Sequence, residues 1–151
     1  MFGLDRYQYY TNASGFDYEF ESVGPAGVIK KVARFSEMGI NIYNFGFGDL
    51  DIKTGNISDT VKSKNGDSNR ILGTLGSIIY DFTTMYMEAL IYIEGTDAAR
   101  TRFYQMNMGK YWNQIQPIFE VFGLLNGQWE DFRKGINYEA FMGRRKMSFL
   151  F

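Results

Sequence analysis

Cysteine and histidine are both absent from this chain of 151 residues. No disulfide can form, so secretion is neither supported nor excluded. Zinc sites built on Cys or His, Ser-His-Asp and Cys-His catalysis, and thiol redox chemistry are excluded. Proline is scarce: Pro25 and Pro117 stand against 17 glycines, so Gly and Asn must mark most turns. Neither sign of charge is in excess. Sixteen basic and 17 acidic residues leave a net charge of −1, which gives the whole chain no attraction for nucleic acid or membrane. No apolar run approaches the roughly 18 residues of a membrane span. The start, MFGLDRYQYY, has neither the basic opening nor the apolar run of a signal peptide. The expectation is a cytoplasmic protein that does not touch a membrane.

Hydrophobic residues make up 45% and charged residues 22%, a globular composition and not a disordered one. The length fits a single domain over 1–151, large enough to bury a core without staples. Aromatics are abundant, with 14 Phe and 11 Tyr.

The first half reads as strands. Residues 4–11, LDRYQYYT, form a weak first strand. Residues 16–22, FDYEFES, alternate, with Phe16, Tyr18 and Phe20 on one face and Asp17, Glu19 and Glu21 on the other. A GPAG turn leads to a strand over 27–36. Met38-Gly39 then turns the chain into a strand that carries Tyr43, Phe45 and Phe47 on one face. DIKTGN is a hairpin turn with Gly55 left-handed, and ISDTVKS is a short fourth strand. From Ile71 to Tyr86 the apolar spacing is helical, with Asp67 or Ser68 as N-cap.

ALIYIEG is a short strand that runs into a helix, TDAARTRFYQM, capped by Thr96 or Asp97 and ended by Gly109. KYWNQIQ makes a second helix, limited by Pro117. A hairpin on Asn126-Gly127 and a last strand, NYEAFMGRR, complete the order. The fold class is α+β: an antiparallel four-stranded sheet followed by a long helix, then βα(α) and a C-terminal hairpin plus strand.

The stretches FESVGPAGVIKKVARF, NIYNFGFGD, KNGDSNRIL, IEGTDAARTRFY and NYEAFMGRRK span nearly the whole chain. In them the sequence resembles a small bacterial family described as a domain of unknown function. The resemblance implies chains of about this length and no assigned activity. Separately, four antiparallel strands followed by a long helix is similar in topology to the unit of the PUR-alpha and Whirly single-stranded nucleic-acid binders, and folds alone do not carry function.

Five features can carry chemistry. The aromatic faces are core if the helix covers them. If they are open, they form a stacking platform for unpaired bases on which Tyr43 and Phe45 would lie. Lys30, Lys31 and Arg34 can hold a phosphate backbone, or pair with Asp17, Glu19 and Glu21 across the strands. The segment EGTDAARTR places Gly95 and Thr96 at a helix start, where free N–H groups suit an anion, with Arg100 and Arg102 adding charge. Against an anion, Asp97 repels it and no glycine-rich cradle is present. DLDIKTGNI begins like a calcium loop at Asp49 and Asp51. Lys53 stands where a ligand is needed and no Glu closes the loop, so it reads as a hairpin turn and no metal site is expected. Finally Arg144, Arg145 and Lys146 form the one dense basic run, before an apolar end at Phe149–Phe151. That end, 147–151, is a loose tail or a docking segment.

Only carboxylates, Lys, Tyr and hydroxyls remain for catalysis, and the acids are scattered with no Asp…Glu-x-Lys arrangement. No catalytic residue and no cofactor is assigned. The sequence points to a non-enzymatic binding module. Single-stranded nucleic acid is its most concrete ligand, through Lys30, Lys31, Arg34, Tyr43, Phe45, Arg100 and Arg102. One alternative is a homodimer that buries Tyr7, Tyr9, Tyr43, Phe45, Phe47 or Trp129. The other is a small phosphate-ligand enzyme that uses residues 94–102.

Overall fold

The computed structural model describes residues 5–58 and 65–147. The chain forms two compact units, Met1–Ser36 with Phe45–Phe82 and Glu37–Asn44 with Thr83–Phe151.

The first unit is built on β1 (Tyr10–Thr11), β2 (Asp17–Gly24), β3 (Gly27–Gly39, up to Ser36), β4 (Ile42–Leu50, from Phe45) and β5 (Ile57–Ser58), followed by α1 (Ser68–Met85, up to Phe82). The strands lie in the order β1-β2-β3-β4, with β5 paired to β4. β2 and β3 form an antiparallel ladder from Asp17↔Arg34 to Gly24↔Gly27. This register puts Tyr18 opposite Ala33 and Phe20 opposite Lys31, all on one face. α1 lies on that face: Phe82 stacks on Phe35 at 3.8 Å and meets Phe16 at 6.1 Å. Tyr18, Phe20, Phe35, Phe45, Leu75, Ile78 and Phe82 are buried there. The aromatic strand face is therefore core, and each such side chain contributes roughly 1.5–3 kcal/mol by leaving water.

Two expectations for this half are corrected. Residues 4–11 do not form a full strand: among the described residues only Tyr10–Thr11 pairs with β2. The preceding segment is tied to α1 side chains instead, with Tyr7 N–H donating to Thr74 Oγ1 at 2.8 Å and Tyr9 Oη to Asp81. The turn after β3 falls at residues 40–41, not at Met38-Gly39. Asn41 adopts φ 58°, a left-handed conformation that Asn tolerates, and so the strand continues through Gly39. Of the expected fourth strand, Ile57–Ser58 is present and the rest lies outside the described residues. The hairpin turn with Gly55 at φ 73° is as expected.

The second unit holds the tip of the β3–β4 hairpin, then β6 (Leu90–Ile93), α2 (Ala98–Lys110), α3 (Trp112–Ile115), β7 (Phe119–Leu125), β8 (Gln128–Asp131) and β9 (Ala140–Arg145). Its strands run β6-β9-β7-β8, so the last strand enters between two earlier ones. β9 pairs Gly143 with Ile91 on one side and with Val121 on the other, both antiparallel. The second unit therefore has a four-stranded arrangement of its own, because the C-terminal strands pair with β6 through β9. The β7–β8 hairpin closes on Asn126 (φ 52°) and Gly127 (φ 77°), the two left-handed residues of a type I′ turn. α2 passes Gly109 and ends at Lys110. The N–H of Tyr111 returns to Asn107 O at 3.0 Å, so the last turn closes without a left-handed glycine. Phe132, Tyr138 and Phe141 form the core of this unit, packed by Ile93, Tyr104, Met108 and Trp112. Among the described residues no helix is long and apolar enough to cross a membrane.

Candidate functional site

The start of α2 is built on an exchange of short-range hydrogen bonds. After β6 the chain passes through Glu94, Gly95 and Thr96 to Asp97, the N-cap, whose Oδ1 accepts the N–H of Arg100 at 2.8 Å. Thr101 Oγ1 donates to Asp97 O and accepts from Gly95 N–H, both at 3.1 Å. These bonds fold the 94–97 turn onto the first turn of the helix. A Cβ on Gly95 would stand 2.5 Å from Thr101 N, so only glycine permits this approach.

The other wall comes from the chain between β8 and β9. Tyr138 lies on Gly123, where a Cβ would fall 2.4 Å from the ring, and packs edge-on against Phe141 at 6.0 Å. Its hydroxyl donates to Glu130 Oε2 at 2.8 Å and accepts from Arg133 N–H at 3.1 Å. Burial, then the Glu130 carboxylate, push the Tyr138 pKa up. The same hydrogen bond from Tyr138, with those from Arg133, pulls Glu130 below its usual range. The neighbouring Glu139 is held by its Oε1, which accepts the turn N–H of Asn126 at 2.9 Å.

Between these walls lies a cleft of about 410 Å³. Three exposed acidic residues border it, Glu94, Asp97 and Glu139, together with Arg102, and Asp97 is itself paired with Arg100. Gln105 lines it as well and is 5% exposed. Its Nε2 donates to Arg133 O at 3.4 Å, while its Oε1 is shielded from solvent and has no hydrogen-bond partner. Glu94 accepts from Tyr92 Oη at 3.0 Å, and burial followed by this contact raises the Tyr92 pKa.

Of the residues singled out in the sequence, Gly95, Thr96 and Arg102 meet at this cleft. Arg100 does not line it and is engaged elsewhere, donating to Thr96 Oγ1 at 2.7 Å with Asp97 Oδ2 at 3.6 Å. The proposed nucleic-acid residues are not brought together as an open surface. Lys31 is buried and paired with Asp49, its Nζ 5.8 Å above the Phe47 ring. Arg34 holds Asp17 through two hydrogen bonds of 2.8 and 3.0 Å and also donates to Gly55 O. Lys30 is exposed, opposite Glu21 in the ladder. Phe45 is buried against Phe35 at 5.2 Å. Tyr43 is buried with Tyr86 at 6.2 Å, and burial first, then Glu37, raises its pKa. Neither ring has an open face for a base to stack on.

Asp49 pairs with Lys31, and Asp51 sits in the β4–β5 turn, where its carbonyl accepts Gly55 N–H at 2.7 Å. Among the described residues no group of three acidic side chains is placed to hold a metal. Arg144 pairs with Glu120 at 2.9 Å, and Arg145 is buried over Phe119 with Nε donating to Thr83 Oγ1. The apolar end Phe149–Phe151 lies outside the described residues. Tyr7 and Phe45, expected at a dimer contact, are buried within the first unit, and Tyr43 within the second.

Sequence reasoning missed Gln105, Asn137, Tyr138 and Glu139. A signal for Gln105 was present. Thr101, Tyr104, Gln105 and Met108 share one stripe of α2 at i, i+3, i+4 and i+7, while Phe103 and Met106 face outward and exposed. Two polar residues, Thr101 and Gln105, thus share the buried stripe with Tyr104 and Met108 while two apolar ones are left outside. Asn137–Glu139 carry no such mark: NYEAFMGRR reads as strand from Asn137, whereas β9 begins only at Ala140 and 137–139 form the loop before it.

The fold and the cleft define an α+β protein with antiparallel strands and an acid-lined recess at a helix start. The chain belongs to the family of unknown function DUF6934, whose match covers residues 3–146. No curated protein and no solved structure matches it, so the topological likeness to single-stranded nucleic-acid binders has no structural support.

Proposed function

We propose that this protein is a binding module for a small polar molecule, which occupies the cleft between the start of α2 and residues 137–139. The observation that carries the reading is the cleft itself, with one wall fixed by the Gly95–Thr101–Asp97 hydrogen bonds and the other by Tyr138 on Gly123. A buried amide oxygen without a partner costs about 1–3 kcal/mol, and folded proteins keep few of them. The Gln105 Oε1 is such an atom beside the cleft; it is closed to solvent, so a bound molecule meets it only if the side chain turns into the recess. The volume of about 410 Å³ lies within the range of roughly 300–1,000 Å³ usual for ligand pockets. Single-stranded nucleic acid is the weaker reading, since Lys31 and Arg34 are committed to Asp49 and Asp17 and the rings of Tyr43 and Phe45 are buried.

The test is a thermal-shift and amide-NMR screen of small polar fragments. A ligand at about 100 times its Kd stabilises by about 2.7 kcal/mol. At least one fragment should raise Tm and shift the amides of 94–105 and 137–139 in a saturable way. A screen in which no fragment moves those amides overturns the reading.

A further inference from the structure

We infer that the second unit's strands bind a second copy of this chain through the side turned away from α2 and α3. The helices cover one side only. Tyr104 and Met108 of α2 and Trp112 of α3 pack with Ile93, Val121 and Phe141. The end of α1 lies on that side too, where Thr83 Oγ1 accepts from Arg145 Nε. Side chains alternate along a strand, so the ladders put Tyr92, Met142, Phe122, Leu124 and Trp129 on the other side. Among the described residues no helix lies there. Trp129, expected from the sequence at a dimer contact, is 41% exposed, and its ring meets Tyr92 edge-on at 6.2 Å. The first unit shows an ordinary solvent face: away from α1, β2 and β3 carry Asp17, Glu19 and Glu21 with Lys30 and Arg34. By contrast β6 has no charged residue, and Glu120 is the one charge in β7. Aromatic and Met side chains with charges at one end have the make-up of an interface core and its rim.

The register makes this face complementary to itself. It sets Arg144 beside Glu120 and Met142 beside Phe122 on the neighbouring strands β9 and β7. A two-fold axis that runs along the strands, between β9 and β7, lays β9 over the β7 of the copy. Arg144 then meets the partner's Glu120, and Met142 the partner's Phe122. Within one chain Arg144 and Glu120 are already joined at 2.9 Å, so the axis turns two ion pairs into one alternating network. The Tyr92–Trp129 pair reaches from β6 to β8 across the same axis and so meets its own copy. Strands that run along a shared axis have the aligned geometry of ordinary sheet-on-sheet packing. Four strands about 4.8 Å apart and about five residues long give a face of roughly 300 Å². A standard interface takes about 800 Å² from each partner, so this dimer is weak and forms reversibly.

The experiment is analytical ultracentrifugation of the full chain from about 1 to about 500 µM, which should show a reversible monomer–dimer equilibrium. Leu124→Lys puts a charge on the face and should weaken the dimer at least about tenfold. Trp129→Ser, at an exposed position, should do the same and serves if the Lys variant does not fold, which circular dichroism checks. Arg144→Glu alone should weaken the dimer severalfold. Arg144→Glu combined with Glu120→Arg keeps every pair opposite in charge and should restore it to within about twofold. A chain that stays monomeric at about 500 µM overturns the inference and leaves the face to a different partner. A dimer that a folded Trp129→Ser or Leu124→Lys protein forms as well as the parent also overturns it, since that dimer uses another surface. A double swap no better than Arg144→Glu overturns the two-fold placement.

Discussion

Polar groups are buried in both units, with opposite outcomes. In the first, the Asp67 carboxylate accepts Tyr7 Oη at 2.6 Å and Ser22 Oγ at 2.5 Å. Asn65 Nδ2 donates to Gly27 O at 3.0 Å, and its Oδ1 accepts Ala26 N–H at 2.7 Å. Arg70 lies 4.1 Å from the Tyr7 ring centre. Each member of the cluster has partners, so it acts as a clamp that holds the chain before β1, the β2–β3 hairpin and the start of α1 together. In the second unit Gln105 is equally buried, yet among the described residues its Oε1 is the buried side-chain polar atom left without a partner. A completed network stabilises one arrangement. An incomplete one carries a desolvation cost that nothing in the fold offsets. Buried polar side chains are thus fully matched in one unit and left one oxygen short in the other.

The largest break to this comparison is expected in the first unit's core. Leu75→Ala or Ile78→Ala, both under the aromatic face, should each lose about 2–5 kcal/mol in denaturant unfolding, the usual cost of a core cavity. A cost near zero would mean that α1 does not cover that face. Removing the clamp comes next. Asp67→Ala removes the acceptor of Ser22 Oγ and the shorter of the two acceptors of Tyr7 Oη, and should cost about 1–3 kcal/mol. Gln105→Met sharpens the contrast, because it deletes the unsatisfied oxygen. Its stability should stay within about 1 kcal/mol of the parent or rise, whereas removing a member of a complete network must destabilise. A loss as large as that of Asp67→Ala would show that Gln105 is a structural group.

The smallest effect is on pH dependence. Burial raises the pKa values of Tyr43, Tyr92 and Tyr138, so the folded protein holds these protons more tightly than the unfolded chain does. Their contribution is complete below the unfolded tyrosine value of about 10 and is lost as pH rises through the folded values. Tm should therefore fall above about pH 10. Tyr138→Phe, which leaves Glu130 and Arg133 with each other, should flatten part of that fall. On the acid side Glu130 is depressed, so its share is present above the usual carboxylate range and lost as pH drops through the folded value. Glu130→Gln should remove that part of the acid slope.

Much of the first unit was legible in the sequence. FDYEFES alternates without a break, and its aromatic side is the side α1 covers. Arg34 faces Asp17 because strands joined by a tight turn bring charges of opposite sign into register. Lys31 was less legible: one residue from Lys30, it turns to the opposite face and meets Asp49 from a different strand. The Asn126-Gly127 turn and the Asp97 cap were readable for the same local reason, since each needs only a few neighbouring residues.

The cleft was half readable. Gly95, Thr96 and Arg102 belong to one continuous segment whose strand-to-helix junction is written in EGTDAARTR. Residues 137–139 reach it only because β9 inserts between β6 and β7, a pairing between segments some fifty residues apart that no local pattern encodes.

What the sequence by itself determined is therefore the local and the periodic: which segments are strands and helices, which face of each is apolar, where the caps and tight turns fall, and, by lacking Cys and His, which chemistries are closed to it. Propensity, side-chain period and turn geometry act over a few residues, so they leave a trace in the order of the letters. Tertiary structure alone decided that the aromatic faces are core, that Lys31 and Arg34 are spent on ion pairs, and that Gln105 is buried beside an acid-lined recess with one oxygen unmatched. Those outcomes depend on which distant segments come together. Burial and hydrogen-bond satisfaction are properties of the neighbours a group acquires in space, and the sequence does not name them.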